Sequence, residues 1–159
     1  MKRKASLSAI LLLAVVLTAC NGIAGGDDKD STLQPMVVQD FIEEAKENQN
    51  WKIAFATGPE EQIVFMNVSP YTNPTNEIGM ERHDFDQVIL IVEGDGEAIL
   101  NGDTHTVQEG SMIFISKDTK HNVINSNHDD PLKLISFYSD TDIPEGSVFK
   151  TKADEKKGM

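Results

Sequence analysis

The 159-residue chain contains a single cysteine, Cys20, so no disulfide can form within it and any domain it builds must be held by its core alone. Basic residues are also scarce: 14 lysines and arginines stand against 26 aspartates and glutamates, a net charge of −12. So acidic a chain argues against nucleic acid as a partner and against electrostatic adhesion to anionic lipid. The apolar run nearest the N-terminus, Ile10 to Leu17, is too short to span a membrane. The chain also lacks a P-loop, a Gly-x-Gly-x-x-Gly fingerprint, a Gly-x-Ser-x-Gly elbow and a Cys/His zinc cluster. Its Gly94-x-Gly96 pair reads as a hairpin turn between two strands.

What is present begins with a secretory pattern. Lys2, Arg3 and Lys4 precede the apolar run, so residues 1–19 read as a signal sequence. The run ends in Leu17-Thr18-Ala19-Cys20, which resembles a bacterial lipobox and implies that Cys20 is acylated and becomes the mature N-terminus. Two or more acyl chains on one residue anchor a protein stably where one would not. Loss of residues 1–19 removes three basic residues and no acidic one, so the net charge falls from −12 to −15. Residues 20–33, rich in glycine and aspartate, are expected to form a flexible tether. Residues 34–150 are expected to form one domain, and residues 151–159 a loose charged tail. The expected address is the outer face of a bacterial cell membrane, reached through lipid.

The middle of the chain is strand after strand. Asp40 to Lys46 reads as a short helix, with Asp40 as cap, Glu43 completing a capping box, and Phe41, Ile42 and Ala45 toward the core. Strands are expected at 51–56, 62–68, 87–93, 97–100, 104–107, 111–115, 121–124 and 132–138, separated by polar turns such as Asn101-Gly102-Asp103 and Glu109-Gly110. The fold class is therefore all-β, a sandwich or barrel with a short N-terminal helix. The continuous run Val88 to Val92 predicts a strand buried on both faces, its outer face covered by the opposing sheet, a helix or a second subunit. The last of these would make the protein a homodimer.

Glu81, His83 and Gln87 share one parity on an extended segment, whereas Asp84 and Asp86 point the other way. A second strand carrying His121 would add a fourth donor. Two imidazoles and two side-chain oxygens suit Mn, Fe, Co, Ni or Zn better than Ca or Mg, which take all-oxygen shells.

These residues carry a family resemblance. The chain resembles a cupin, whose two motifs are G-x5-H-x-H-x3,4-E-x6-G and G-x5-P-x-G-x2-H-x3-N. Glu81 falls at the first His position, His83 at the second, Gln87 at the Glu, and Gly94 closes the motif, while the opening Gly is displaced to Gly79. In the second motif Gly110, His121 and Asn125 match, and Ser116 and Asp118 replace the Pro and Gly. The resemblance implies a double-stranded β-helix, the jelly-roll cupin barrel, with a divalent transition metal on Glu81, His83, Gln87 and His121 and a small-molecule ligand in the barrel. The family includes dioxygenases, isomerases, decarboxylases and lyases, so it implies metal-dependent chemistry without selecting a reaction. The alternative is a non-catalytic small-molecule-binding lipoprotein with a degenerate metal site, which Gln87 in place of a carboxylate makes plausible. His105 and His128 lack partners at ligand spacing, and Asn125 reads as a structural hydrogen bonder. Trp51, Phe65, Met66, Phe114, Phe137 and Tyr138 read as core or pocket wall.

Overall fold

A computed structural model describes residues 34–71 and 75–158 of the chain. The segments expected to be a signal sequence and a tether, with Cys20, span residues 1–33 and lie outside the described residues. Helix α1, Phe41–Glu47, opens the described fold. The strands follow: β1 (Lys52–Thr57), β2 (Gln62–Val68), β3 (Gln87–Glu93), β4 (Asp95–Leu100), β5 (Asp103–Gln108), β6 (Met112–Ile115), β7 (His121–Asn125), β8 (Leu132–Tyr138) and β9 (Val148–Phe149), then helix α2, Lys152–Gly158. A six-stranded sheet runs β6-β3-β8-β2-β1-β9 and a three-stranded sheet runs β5-β4-β7, with every pair antiparallel. The all-β double-sheet expectation holds.

Alternation along the strands builds the interior. Val64, Met66 and Val68 of β2, Ile89 and Ile91 of β3 and Leu132 and Leu134 of β8 meet Ala98 of β4 and Val123 of β7 in one buried cluster. The outer face of the large sheet is covered by α1. Phe41 packs its ring 5.5 Å from Phe55, 5.3 Å from Phe65 and 6.3 Å from Phe137. On β3 the helix covers the Val92 end, where Val92 and Ala45 share a cluster, whereas Val88 and Leu90 stay half-buried, so burial on both faces is only partly reached.

Several local expectations are corrected. Asp40 makes no side-chain cap bond, and the acidic Glu43 and Glu44 instead complement the helix dipole in the first turn. Phe41 and Ala45, four residues apart, share the buried face; Ile42 lies about 100° round the helix and is 37% exposed. Phe114 is not core, because β6 is an edge strand and Phe114 takes its outward parity, 59% exposed.

Gly94 is not a hairpin. β3 and β4 belong to different sheets, so the chain turns a corner there, with φ of 88° at Gly94. An added Cβ on Gly94 would stand 2.6 Å from the Pro131 carbonyl oxygen, and one on Gly96 only 2.2 Å from that of Ile124. Both glycines are required by close backbone approach.

The end of the chain is also more ordered than its charge pattern predicts. β9 pairs with β1, Lys52 opposite Phe149, and residues 152–158 form a helix where a loose tail was expected. Tertiary anchors on α2, described below, offset the poor intrinsic stability of so short a helix.

Candidate metal centre

Three elements bring the site together. Glu81 forms an isolated bridge with His121, the first residue of β7: the Glu81 N–H donates to the His121 carbonyl at 2.8 Å and the His121 N–H returns to the Glu81 carbonyl at 3.0 Å. His83 lies two residues on in an irregular segment, and Gln87 begins β3. Residues 82–86 form no strand ladder, and β3 begins at Gln87 as expected. The alternation survives, because Glu81, His83, Phe85 and Gln87 turn inward while Arg82, Asp84 and Asp86 are exposed.

The turn between β6 and β7 fastens this segment from the other side. The Asp118 N–H donates to the His83 carbonyl at 2.7 Å, and the Lys117 N–H to the Asp86 carboxylate at 2.8 Å. Asp118 occupies the position of the motif's glycine and adopts the conformation expected there, φ 66°. An aspartate visits this left-handed region at lower cost than most residues.

Glu81, His83 and His121 each place a ligand atom within 4.8 Å of the other two. Glu81 Oε2 stands 3.5 Å from His83 Nε2 and 3.9 Å from His121 Nε2. His121 is buried and its Nδ1 lies 3.0 Å from the Thr119 carbonyl. A carbonyl only accepts, so that contact assigns the proton to Nδ1 and leaves a lone pair on Nε2. The His83 ring stacks on Phe85 with centroids 4.8 Å apart and meets Tyr138 edge-on at 5.6 Å. Its Nδ1 faces Asp142 Oδ1 at 3.8 Å.

Gln87 is buried and donates through Nε2 to Ser136 Oγ at 2.7 Å. That bond fixes the amide with its oxygen facing the other way. Three buried polar atoms find no hydrogen-bond partner among the described residues: His83 Nε2, Gln87 Oε1 and His121 Nε2. Orphaned groups of this kind are rare in folded interiors and costly. All three belong to the expected ligand set; His121 Nε2 and Gln87 Oε1 offer a lone pair as they stand, and His83 Nε2 offers one with its proton on Nδ1, the side facing Asp142. Such a donor set fits a divalent transition metal.

Around these donors lies a ring of groups that sequence reasoning missed. Lys52 Nζ, only 1% exposed as a residue, sits 2.6 Å from Glu155 Oε1 and 3.6 Å from Asp142 Oδ2. Gln62 fixes the Asp142 loop by accepting the Asp142 and Ile143 N–H groups at 3.0 and 3.1 Å. One signal was available: Lys52 has the inward parity of β1, and a buried lysine demands carboxylate partners. Those partners sit 90 and more residues away and leave no local pattern. His105 and His128 are exposed and outside the cluster, as expected.

The charges act on one another. Burial opposes the Glu81 carboxylate, yet contact with His83 and the field of Lys52 together hold it below its ordinary range. Burial likewise opposes the Lys52 ammonium, but Glu81, Asp142 and Glu155 raise it. Asp142 is pushed up by burial and by Glu81, only partly offset by Lys52. The Tyr138 phenol is raised well above 10.0 by burial and by the negative fields of Asp142 and Glu81.

An alkaline limit to stability follows. Lys52 and Tyr138 ordinarily release protons at 10.5 and 10.0, and the fold holds both protons longer. Above about pH 10 the folded state therefore binds more protons than the unfolded chain, and stability falls as pH rises. The urea midpoint is expected to be level from about pH 7 to 9 and to drop by about pH 11. An unchanged midpoint at the higher pH contradicts this account.

Comparison with known proteins agrees with the geometry. Residues 72–138 match the family described as Cupin domain. An uncharacterized protein of Acanthamoeba polyphaga mimivirus is 37% identical over 122 residues, covering 74% of each chain. A crystal structure from Bacillus halodurans is 31% identical with a TM-score of 0.73, covering 80% of this chain and 98% of that one. A cupin protein from Bacteroides fragilis shares the fold at 16% identity, with a TM-score of 0.50 over 72% of this chain and 89% of its own. The chain belongs to the cupin family. Cupins commonly bind transition metals, and Glu81, His83 and His121 form a His/Glu cluster of the kind that can hold one.

Proposed function

We propose that this cupin holds one divalent transition metal (Mn, Fe, Co, Ni or Zn) on Glu81, His83, Gln87 and His121 and uses it to bind a small molecule in the barrel. The observation that carries the reading is the approach of the unpartnered His83 Nε2 and His121 Nε2 to the Glu81 carboxylate; Gln87 Oε1, at the motif's carboxylate position, is a further buried atom without a partner among the described residues. Charge supports it independently. Glu81, Asp142 and Glu155 contribute three negative charges and Lys52 one positive, so a divalent ion makes the cluster neutral.

When bound, the ion supplies a Lewis-acid or redox centre. The chain's own residues prepare the place for it. Thr119 selects the His121 tautomer, Ser136 aims the Gln87 amide, and Asp142 lies against His83. Phe85 and Tyr138 wall the His83 ring and keep water from it. The neutral Gln87 amide, where the motif has a carboxylate, favours a second reading in which the same site captures a small molecule without turnover.

The test is elemental analysis of protein from Asp27 onward, purified without chelator and reloaded. Wild type is expected to hold about one equivalent of a transition metal, and His83→Ala and His121→Ala far less. Less than about a tenth of an equivalent in wild type overturns the proposal.

We further propose that Cys20 is acylated and holds the domain on the outer face of the cell membrane, supported by the Leu17-Thr18-Ala19-Cys20 sequence after the apolar run. Cell fractionation of wild type beside Cys20→Ser checks it. Wild type is expected in the membrane and the variant in the soluble fraction; equal partitioning of processed protein sinks the idea.

A further inference from the structure

The metal site does not end at its ligands. Contacts run without a break from His121 and Glu81 to His83, then to Asp142, Lys52 and Glu155. Glu155 belongs to α2, the last element of the chain. Its carboxylate is divided between two buried partners: Oε1 meets Lys52 Nζ at 2.6 Å, and Oε2 accepts from Trp51 Nε1 at 2.7 Å. Lys152, at the other end of α2, donates to the Glu77 carbonyl at 2.7 Å and stands over the Trp51 ring at 5.4 Å. These bonds place α2 beside the segment that leads into Glu81.

The charges facing this junction come from every packed element. β1 brings Lys52, the 81–83 segment brings Glu81, the loop before β9 brings Asp142, and α2 brings Glu155. With Glu155 docked, the cluster carries two net negative charges. Without the Glu155 charge, Lys52 keeps Asp142 alone and the cluster carries one; α2 also carries Lys152, whose positive charge is felt by Glu81 and Glu155. A divalent ion then meets a weaker field in a poorly solvated place, where charge is felt strongly.

We propose that Glu155 and Lys52 are positioning residues that tune the metal centre from α2, so that docking of the C-terminal helix and metal binding favour each other. This rests on the reading of Glu81, His83, Gln87 and His121 as a metal site. The two residues act with opposite sign. Removing the Glu155 charge takes away negative field and weakens metal binding, whereas removing the Lys52 charge strengthens it. A role limited to keeping the site in shape would weaken binding in both. By reciprocity, the factor by which docked Glu155 favours metal is the factor by which metal favours docking.

The experiment titrates Co2+ into the full-length protein against a competing chelator and follows the visible absorption of the bound ion. Glu155→Gln is expected to raise the dissociation constant about fivefold or more and Lys52→Gln to lower it, with the absorption band of wild type retained. Weakening in both variants, or change in neither, overturns the proposal. If wild type binds no Co2+, the metal reading itself fails first. Because Lys52→Gln exposes two buried carboxylates and can fail to fold, hydrogen exchange of wild type gives the second measurement. Co2+ is expected to slow exchange of the α2 amides by about the factor found for Glu155→Gln. Exchange in α2 that is indifferent to Co2+ also overturns the proposal.

Discussion

Replacing Gln87 with glutamate is expected to tighten divalent-metal binding by about tenfold or more while lowering the stability of the metal-free protein by about 3 kcal/mol. Both effects come from one atom. Gln87 Oε1 is buried without a hydrogen-bond partner among the described residues, and Gln87 stands at the carboxylate position of the motif whose other ligand positions are Glu81, His83 and His121. A formal charge there adds attraction for a cation. Without the cation it joins Glu81, Asp142 and Glu155 in a cluster where Lys52 is the buried positive group, and burying an uncompensated charge is costly. Ser136 can accommodate the change, since its hydroxyl can rotate from accepting the amide to donating to the carboxylate. The variant should therefore fold poorly in chelator and recover with metal. Urea unfolding with and without EDTA, and chelator competition for the affinity, read the two effects separately. A variant whose stability ignores metal would contradict the assignment of Gln87 as a ligand.

The largest loss of stability from a single truncation is expected at Asn125, at the end of β7. Its side chain is fully buried and its two amide hydrogens are shared among three carbonyls, Val68 at 3.0 Å, Ser69 at 2.9 Å and Asp130 at 3.0 Å. Its oxygen accepts the Asn127 N–H at 2.9 Å. One residue thus ties β2, β7 and the loop before β8. Asn125→Ala leaves those backbone groups unpaired and is expected to cost about 3 kcal/mol. Asn125→Asp keeps the shape but turns an acceptor toward carbonyl acceptors. At neutral pH it should be the worse variant, and it should recover as acid protonates the new carboxyl. Chemical denaturation at two pH values checks both, and a cost under about 1 kcal/mol for alanine would show that water replaces the amide.

Much of this arrangement was legible before any coordinates. The strands were readable because alternation and turn residues agree, and Glu81, His83 and His121 were readable because motif spacing placed them in register. The extended segment that carries Glu81 and His83 has no ladder of its own, and its inward parity persists because the Asp118 and Lys117 amides pin it. What escaped reading is nonlocal. Glu155 looks like one more charge in a charged tail until Lys52 and Trp51 are seen beside it, 100 residues earlier in the chain. Gly94-x-Gly96 has the composition of a hairpin, and only the partners of β3 and β4 in separate sheets show a corner. β9 is two residues long, shorter than any pattern that periodicity can register.

The pairing of β1 with β9 has a consequence for how the protein is made. The bond from Trp51 to Glu155 joins residues 104 apart, so the β1 side of the large sheet is covered only once residues far along the chain are in place. Until they arrive, β1 presents an unpaired edge, a template on which another chain can add a strand. Closure over so long a loop is also intrinsically slow. Val148 and Phe149 thus serve as edge protection, and a chain truncated before Val148 is expected to aggregate during folding where the 159-residue chain does not.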